Sequence, residues 1–337
     1  ALFGEKYGDT VRVVSGLNFS GTLAWNAPVG VIGTPPTPRQ GAAAWYDDGA
    51  LIVFGGDDGQ ASPTVFSDVA VAKDAVLVPT PSILWTSGLS PAGSGPGPRS
   101  FMASGYNPTT DRLIVMGGRT GAGCAVSNDV HVLVNASTHN GAMSWLALSP
   151  TGTPPAPRAR ATSAYDPGTN QLIVSGGDDL CGHTFSDAFV LEGADGTAGT
   201  PHWRPLALSN SPLPAVTGGV GAYDAAYDRL LDFGGLRGPA GTPDDGTTLV
   251  FGALGPAPDA RWTLLPDAPR PASRWLAGGT FDKDFDRLFV FGGDAGTTTP
   301  ANCPFWRSGR VNWMDQAFDA RPSSGWLTNS RSSSLRV

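Results

Sequence analysis

A pair of glycines closing an apolar run occurs five times in this 337-residue chain, at Gly55-Gly56, Gly117-Gly118, Gly176-Gly177, Gly234-Gly235 and Gly292-Gly293. Successive pairs lie 62, 59, 58 and 58 residues apart. Tryptophans keep nearly the same period: Trp25, Trp85, Trp145, Trp203, Trp262 and Trp313 are separated by 60, 60, 58, 59 and 51 residues. Two unrelated residue types in phase mark an internal repeat. In such an array each unit is one supersecondary element whose apolar face is buried by its neighbours.

Each unit reads as four short strands. In the second, Pro98-Arg99 leads into an apolar inner strand over 100–106, and residues 107–111 form a turn in which Asn107 and Pro108 supply a local hydrogen bond and a fixed φ. Residues 112–116 make the second strand, 129–134 alternate as a third with one solvated face, and 143–148 make the fourth around Trp145. The glycines suit a central strand where backbones approach closely and the chain turns with φ > 0. With 46 Gly and 30 Pro the chain cannot sustain long helices, and its ten regularly spaced Trp separate it from low-complexity disorder.

This pattern of an aromatic and Asp or Asn before the first turn, a diglycine after strand two and a Trp in strand four resembles the kelch repeat over nearly the whole chain. The fourth unit departs from it, with Ala215-Val216 where others carry Pro-Arg. The resemblance implies an all-β fold, a kelch-type β-propeller with four-stranded blades. Five diglycines suggest five blades and six tryptophans suggest six. The tail favours six, because Arg270-Pro271 with Trp275-Leu276 is echoed by Arg321-Pro322 with Trp326-Leu327. Residues 323–329 then read as a sixth inner strand, and residues 1–5 as the end of a second strand. The expectation is one domain over 1–337, its closing blade built from 1–27 and 321–337, which pairs both open sheet edges.

The resemblance also places the loop after strand two and the loop entering strand one on one face, around a central channel. Asp57, Arg119, Asp178, Leu236 and Asp294 follow the diglycines, and Arg39, Arg99, Arg158 and Arg274 open the inner strands. In some kelch relatives arginines at these positions grip an acidic peptide, work suited to a planar guanidinium. The competing reading pairs each Arg with an Asp of its own or a neighbouring blade, and regular repetition favours that reading. Arg119, Leu236 and the group Asp178, Asp179 and His183 are the irregular members, hence the informative ones. The spacing of that group fits no metal signature, and no metal or cofactor is expected.

No catalytic residue stands out. None of the four histidines directly follows a tyrosine, unlike the copper-radical oxidases of the galactose oxidase type. The spaced Glu, Asp and His set of the iron-binding nitrile-specifier proteins is missing, as is a nucleophile elbow. Carboxylate chemistry on the channel face is the enzymatic alternative. A net charge of -7 and pI ≈ 5.0 argue against nucleic-acid partners. No apolar stretch is long enough for a transmembrane segment.

Cys124 lies seven residues after Gly117 and Cys181 five after Gly176, so both fall in loops between strands two and three on neighbouring blades. They are within reach of a disulfide, leaving Cys303 unpaired. Such a bridge implies an oxidising compartment, secreted or cell-surface, or periplasmic in a bacterium. The sequons at Asn18 and Asn135 fall between strands three and four, where a loop would face solvent. Three functions follow in order: a module binding a protein or glycan ligand on the channel face or the blade rims, an enzyme acting on extracellular polysaccharide, and a structural subunit of a larger extracellular assembly.

Overall fold

Leu113, Ile114, Val115 and Met116 form an unbroken apolar run because the strand that carries them is covered on both faces. Leu113 and Val115 pack with Phe54 and Val71 of the preceding unit. Ile114 and Met116 pack with Val174 and Leu191 of the following one. A strand buried on both faces loses the polar alternation of a half-exposed strand, and each unit thereby shares one core layer with each neighbour.

The computed structural model describes residues 14–15, 24–25, 30–47, 49–73, 82–137, 142–210, 213–238, 241–243, 247–251, 260–264, 274–282, 287–291, 293–294 and 316–319. Among these there is no helix, and so none long and apolar enough to cross a membrane. From the inside outward, the first sheet runs Ala43–Asp47, Ala50–Phe54, Val69–Lys73, Ser82–Leu89 and Gly30–Gly33. The second runs Ala103–Asn107, Arg112–Arg119, Val126–Val134, Ser144–Leu148 and Ala92–Gly93. The third runs Thr162–Asp166, Gln171–Ser175, Ala188–Glu192, His202–Pro205 and Thr151–Gly152. The fourth comprises Val220–Asp224, Arg229–Phe233, Thr247–Phe251 and Arg261–Leu264. The fifth comprises Gly278–Asp282, Arg287–Phe291 and Gln316–Asp319.

The repeat is exact in register. Trp85, Trp145, Trp203 and Trp262 stand opposite Ala72, Leu133, Leu191 and Val250 of their third strands. The short pair Val14–Ser15 and Ala24–Trp25 repeats this pattern, with Val14 opposite Trp25.

Two features depart from the sequence reading. The first three blades carry a fifth strand, parallel to the fourth and outside it, so four-stranded blades are not the rule there. Each of these strands ends on a left-handed glycine, Gly33, Gly93 or Gly152, where a Cβ would collide with the carbonyl oxygen of the blade's tryptophan. In the fifth sheet the third strand, Gln316–Asp319, lies after Trp313. Trp313 therefore does not follow the third strand as a fourth-strand tryptophan should. By sequence, 24 residues lie between Phe291 and Gln316, against 14 between Phe54 and Val69. Counting on tryptophans alone lost the phase here.

Neighbouring blades are joined by backbone hydrogen bonds in phase with the repeat. The N–H of the second glycine donates to the residue opening the next blade: Gly56 to Arg99 at 2.6 Å, and Gly118, Gly177 and Gly235 to Arg158, Val216 and Arg274 at 2.8 Å. Two residues further on, a second chain of bonds runs around the inner ends. Phe101 N donates to Gly41 O, Arg160 N to Phe101 O, Gly218 N to Arg160 O and Leu276 N to Gly218 O, at 2.7, 2.9, 2.8 and 2.8 Å. All five residues have positive φ, from 52° to 72°. Because these contacts use main chain only, the fourth blade keeps them despite lacking the Pro-Arg entry.

At the turns after strand one, Asn107, Asp166 and Asp224 accept hydrogen bonds from the N–H two residues on, as the turn reading expects. In the sequon at Asn135 the asparagine is partly exposed, its Nδ2 donating to Ala142 O at 3.1 Å, whereas the serine is not. Ser137 is buried, with its N–H and hydroxyl both donating to Asp111; Asn18 lies outside the described residues.

One buried carboxylate ties the second blade to the third at these turns. Asp195, fully buried, accepts bonds from the Nδ2 groups of Asn107 and Asn170, the hydroxyl of Thr110 and the N–H and hydroxyl of Thr197. Burial opposes its charge, but the donors of Thr197, Asn170 and Thr110 outweigh it and hold the carboxyl below its ordinary value. A depressed folded pKa contributes stability that is complete above the unfolded carboxylate value, about 3.9, and is lost as pH falls through the folded value. We therefore expect Asp195→Ala to cost roughly 1.5–3 kcal/mol near neutrality. Thermal midpoints followed from neutral to about pH 3 should fall less steeply in the variant than in the parent.

Candidate functional site

The arginines that open the inner strands turn into their own blades. Arg39 grips Asp68 with both Nη atoms, at 2.7 and 3.0 Å, and donates to Gly55 O at 2.8 Å. Arg158 does the same with Asp187, at 2.6 and 3.1 Å, and with Gly176 O at 2.8 Å. Arg99 reaches Asp129 at 2.6 Å and Gly117 O at 3.4 Å. These side chains are almost wholly buried, and Arg39 and Arg158 also lie over Phe66 and Phe185. Burial works against the Asp129 charge, but His131, Ser127 and Arg99 together hold its carboxyl far below the ordinary range.

The guanidinium thus closes a polygon of strand one, diglycine and strand three within one blade. The acids that complete it are not those following the diglycines. They are Asp68, Asp129 and Asp187, which enter the third strand, and sequence reasoning missed them. The signal was present as Ser67-Asp68-Val69, Asn128-Asp129-Val130 and Ser186-Asp187-Ala188. Arg274 is buried, and its carbonyl receives the Gly235 N–H. Asp294 is exposed, and its main chain pairs with that of Trp275.

The residues after the diglycines behave differently. Asp57 is fully buried and accepts from Gln40 Nε2 at 2.9 Å and Gly59 N at 3.0 Å. From the next blade, Arg119 reaches it with one Nη at 3.4 Å and sits over Phe101 with its Cζ 5.8 Å from the ring centre. Asp178 is buried against Arg160 Nη2 at 2.7 Å, the Thr217 hydroxyl of the fourth blade and Leu180 N. Arg160 lies over Trp275 of the fifth blade, 5.7 Å from its ring centre.

Arg119 and Arg160 are each 19% exposed at the side chain. Each also keeps a buried Nε with no hydrogen-bond partner. Arg160 was not among the expected site residues. It stands two positions after Arg158, where the other blades have Gly41, Phe101, Gly218 and Leu276, and its charge alone distinguishes it.

Asp179 is occupied locally. Its Oδ1 accepts from Cys181 N at 2.7 Å and His183 N at 3.0 Å, bonds that hold the carboxyl below its usual value. The His183 ring packs edge-on against Phe185. Leu236 pairs with Thr217 and Pro243 through main chain. The Asp178, Asp179 and His183 group is therefore split, with Asp178 facing Arg160 and Asp179 folding its own loop.

Cys124 and Cys181 are joined by a disulfide, with a Cα separation of 5.4 Å, as their place in the repeat suggests. Both are exposed and link the loops that continue from Arg119 and from Asp178 on adjacent blades. Cys303 lies outside the described residues.

A family model described as the KLHDC2/KLHL20/DRC7 Kelch-repeats domain matches residues 5–235. The solved structure of YjhT shares the fold, with a TM-score of 0.63 over 88% of each chain and 14% sequence identity. Among curated proteins none matches this chain.

The disulfide spans a sequence separation of 57, for which loop-closure entropy in the unfolded chain corresponds to about 4 kcal/mol. Reduction, or the pair Cys124→Ser and Cys181→Ser, should lower the thermal midpoint by the same amount as each other. An unchanged midpoint in both would show that the bridge does not restrain the two blades.

Proposed function

Because this chain belongs to the kelch-repeat family and has a β-propeller fold, which suggests a protein-interaction module, we propose that it binds an acidic segment of a partner protein at its channel face. The observation that carries this is the contrast between two classes of arginine. Arg39, Arg99 and Arg158 are spent inside their blades. Arg119 and Arg160 stay partly exposed, backed by buried Asp57 and Asp178, and each keeps an unpartnered Nε. Aromatic rings beneath both guanidinium planes hold them in place, so ordering them for a carboxylate costs little entropy.

Arrays of acidic peptides, with uncharged and carboxylated glycans alongside, provide the test. Arg119→Lys and Arg160→Lys, which keep a charge beside buried Asp57 and Asp178 but lose the planar fork, should each weaken peptide binding by about 1–3 kcal/mol and leave the thermal midpoint nearly unchanged. Arg158→Ala is the control that should lower the midpoint. If all three lower stability alike and no acidic peptide binds, the face is structural.

We also propose that the ring has six blades within one domain over 1–337. The Val14–Trp25 register repeats the outer pair of the other blades, and the inner chain of hydrogen bonds among described residues starts at Gly41 and stops at Leu276. Both features leave room for one more blade, shared between 1–27 and 321–337. Truncation after Ala320 should open two sheet edges and lower the cooperative midpoint. An unchanged midpoint argues against closure.

The exposed disulfide supports a secreted or cell-surface location, and persistence of the pair in protein recovered from its native source is the test of that.

A further inference from the structure

The outermost strand of the first blade differs from its counterparts. In the second and third blades this strand has two residues, Ala92–Gly93 and Thr151–Gly152, each preceded directly by a proline, Pro91 or Pro150. Proline at a sheet edge removes an N–H and blocks further pairing. In the first blade the strand has four residues, Gly30–Gly33, and no proline adjoins its start.

The side chains differ in the same sense. The pair in register at this edge is Ala92 with Ser144 in the second blade and Thr151 with His202 in the third, the latter joined by a 3.0 Å hydrogen bond. In the first blade the equivalent pair is Ile32 with Leu84. Ile32 is 54% exposed, Leu84 42% and Val31 40%. The repeat supplies its own control: the same position is small or polar in two blades and large, apolar and open to water in the other.

The main chain is oriented to match. Ala92 N and Thr151 N, at the position of Ile32, donate inward to Met143 O and Pro201 O. By strand alternation the residue before, Val31, directs its N–H and C=O outward along the edge, where no further strand pairs among the described residues.

We propose that this edge is a self-association surface, on which a second copy of the chain adds its own Gly30–Gly33 strand antiparallel. A two-fold axis at Val31 pairs the outward groups of the two copies. It sets Gly30 of one copy opposite Ile32 of the other, where the missing side chain makes room. Both Ile32–Leu84 patches then lie on one face of a continuous sheet and cover each other from water. The surface is on the blade rim and independent of the channel face.

Sedimentation velocity over a range of concentrations tests this directly. The parent chain should show a concentration-dependent dimer. Ile32→Lys, which sets two like charges beside the axis, should weaken association by at least about tenfold with an unchanged thermal midpoint. Val31→Pro, which removes the outward N–H, should weaken it too. A parent that stays monomeric at every concentration, or a dimer that survives both substitutions, overturns the proposal.

Discussion

The array of blades hangs on one close approach, that of each diglycine to the carbonyl opening the next blade. The second glycine donates its N–H there, and a Cβ on Gly55, Gly176 or Gly234 would collide with that oxygen. Both glycines of each described pair have positive φ, so side chains are excluded by space and by backbone conformation together. The contact fixes how near one sheet lies to the next at its inner end. The apolar layers that fill the wedge further out, with Phe54 of one blade against Trp145 of the next, take their size from it.

Around this spacing the polar groups divide into two kinds. One kind closes the structure: Arg39, Arg99 and Arg158 join three segments of one blade, and Asp195 joins two blades at the turns. These groups are buried and satisfied, and each would leave several orphaned partners if removed. The other kind crosses between blades. Arg119 reaches back to Asp57, and Arg160, held by Asp178 of its own blade, lies over Trp275 of the fifth. Regularity identifies the first kind, and departure from regularity the second. That contrast is what the proposed recognition surface rests on.

The same logic separates the edges. A propeller exposes the rim of every blade, and rims are kept from pairing by short strands, prolines and polar side chains. Two blades here follow that rule, and the first, with Val31, Ile32 and Leu84 in the open, does not. A feature that breaks the repeat in the direction of stickiness is most economically read as a contact surface.

Much of this was legible in the residues alone. The kelch period, the all-β class, the strand order within a unit, the capped turns and the Cys124–Cys181 pairing all follow from marks that recur at fixed offsets, because period and turn chemistry are local properties of the chain. The fifth strand, the long connection before Gln316 and the burial of Ser137 were not legible, since each depends on what packs against a segment rather than on its own pattern. Partner choice was least accessible of all. From the sequence Arg39 and Arg119 are both members of one expected ring of charges; only the tertiary structure shows Arg39 closed on Asp68 in its own blade and Arg119 reaching Asp57 of the preceding one, because which acid lies within hydrogen-bond reach is set by the approach of strands far apart in the chain.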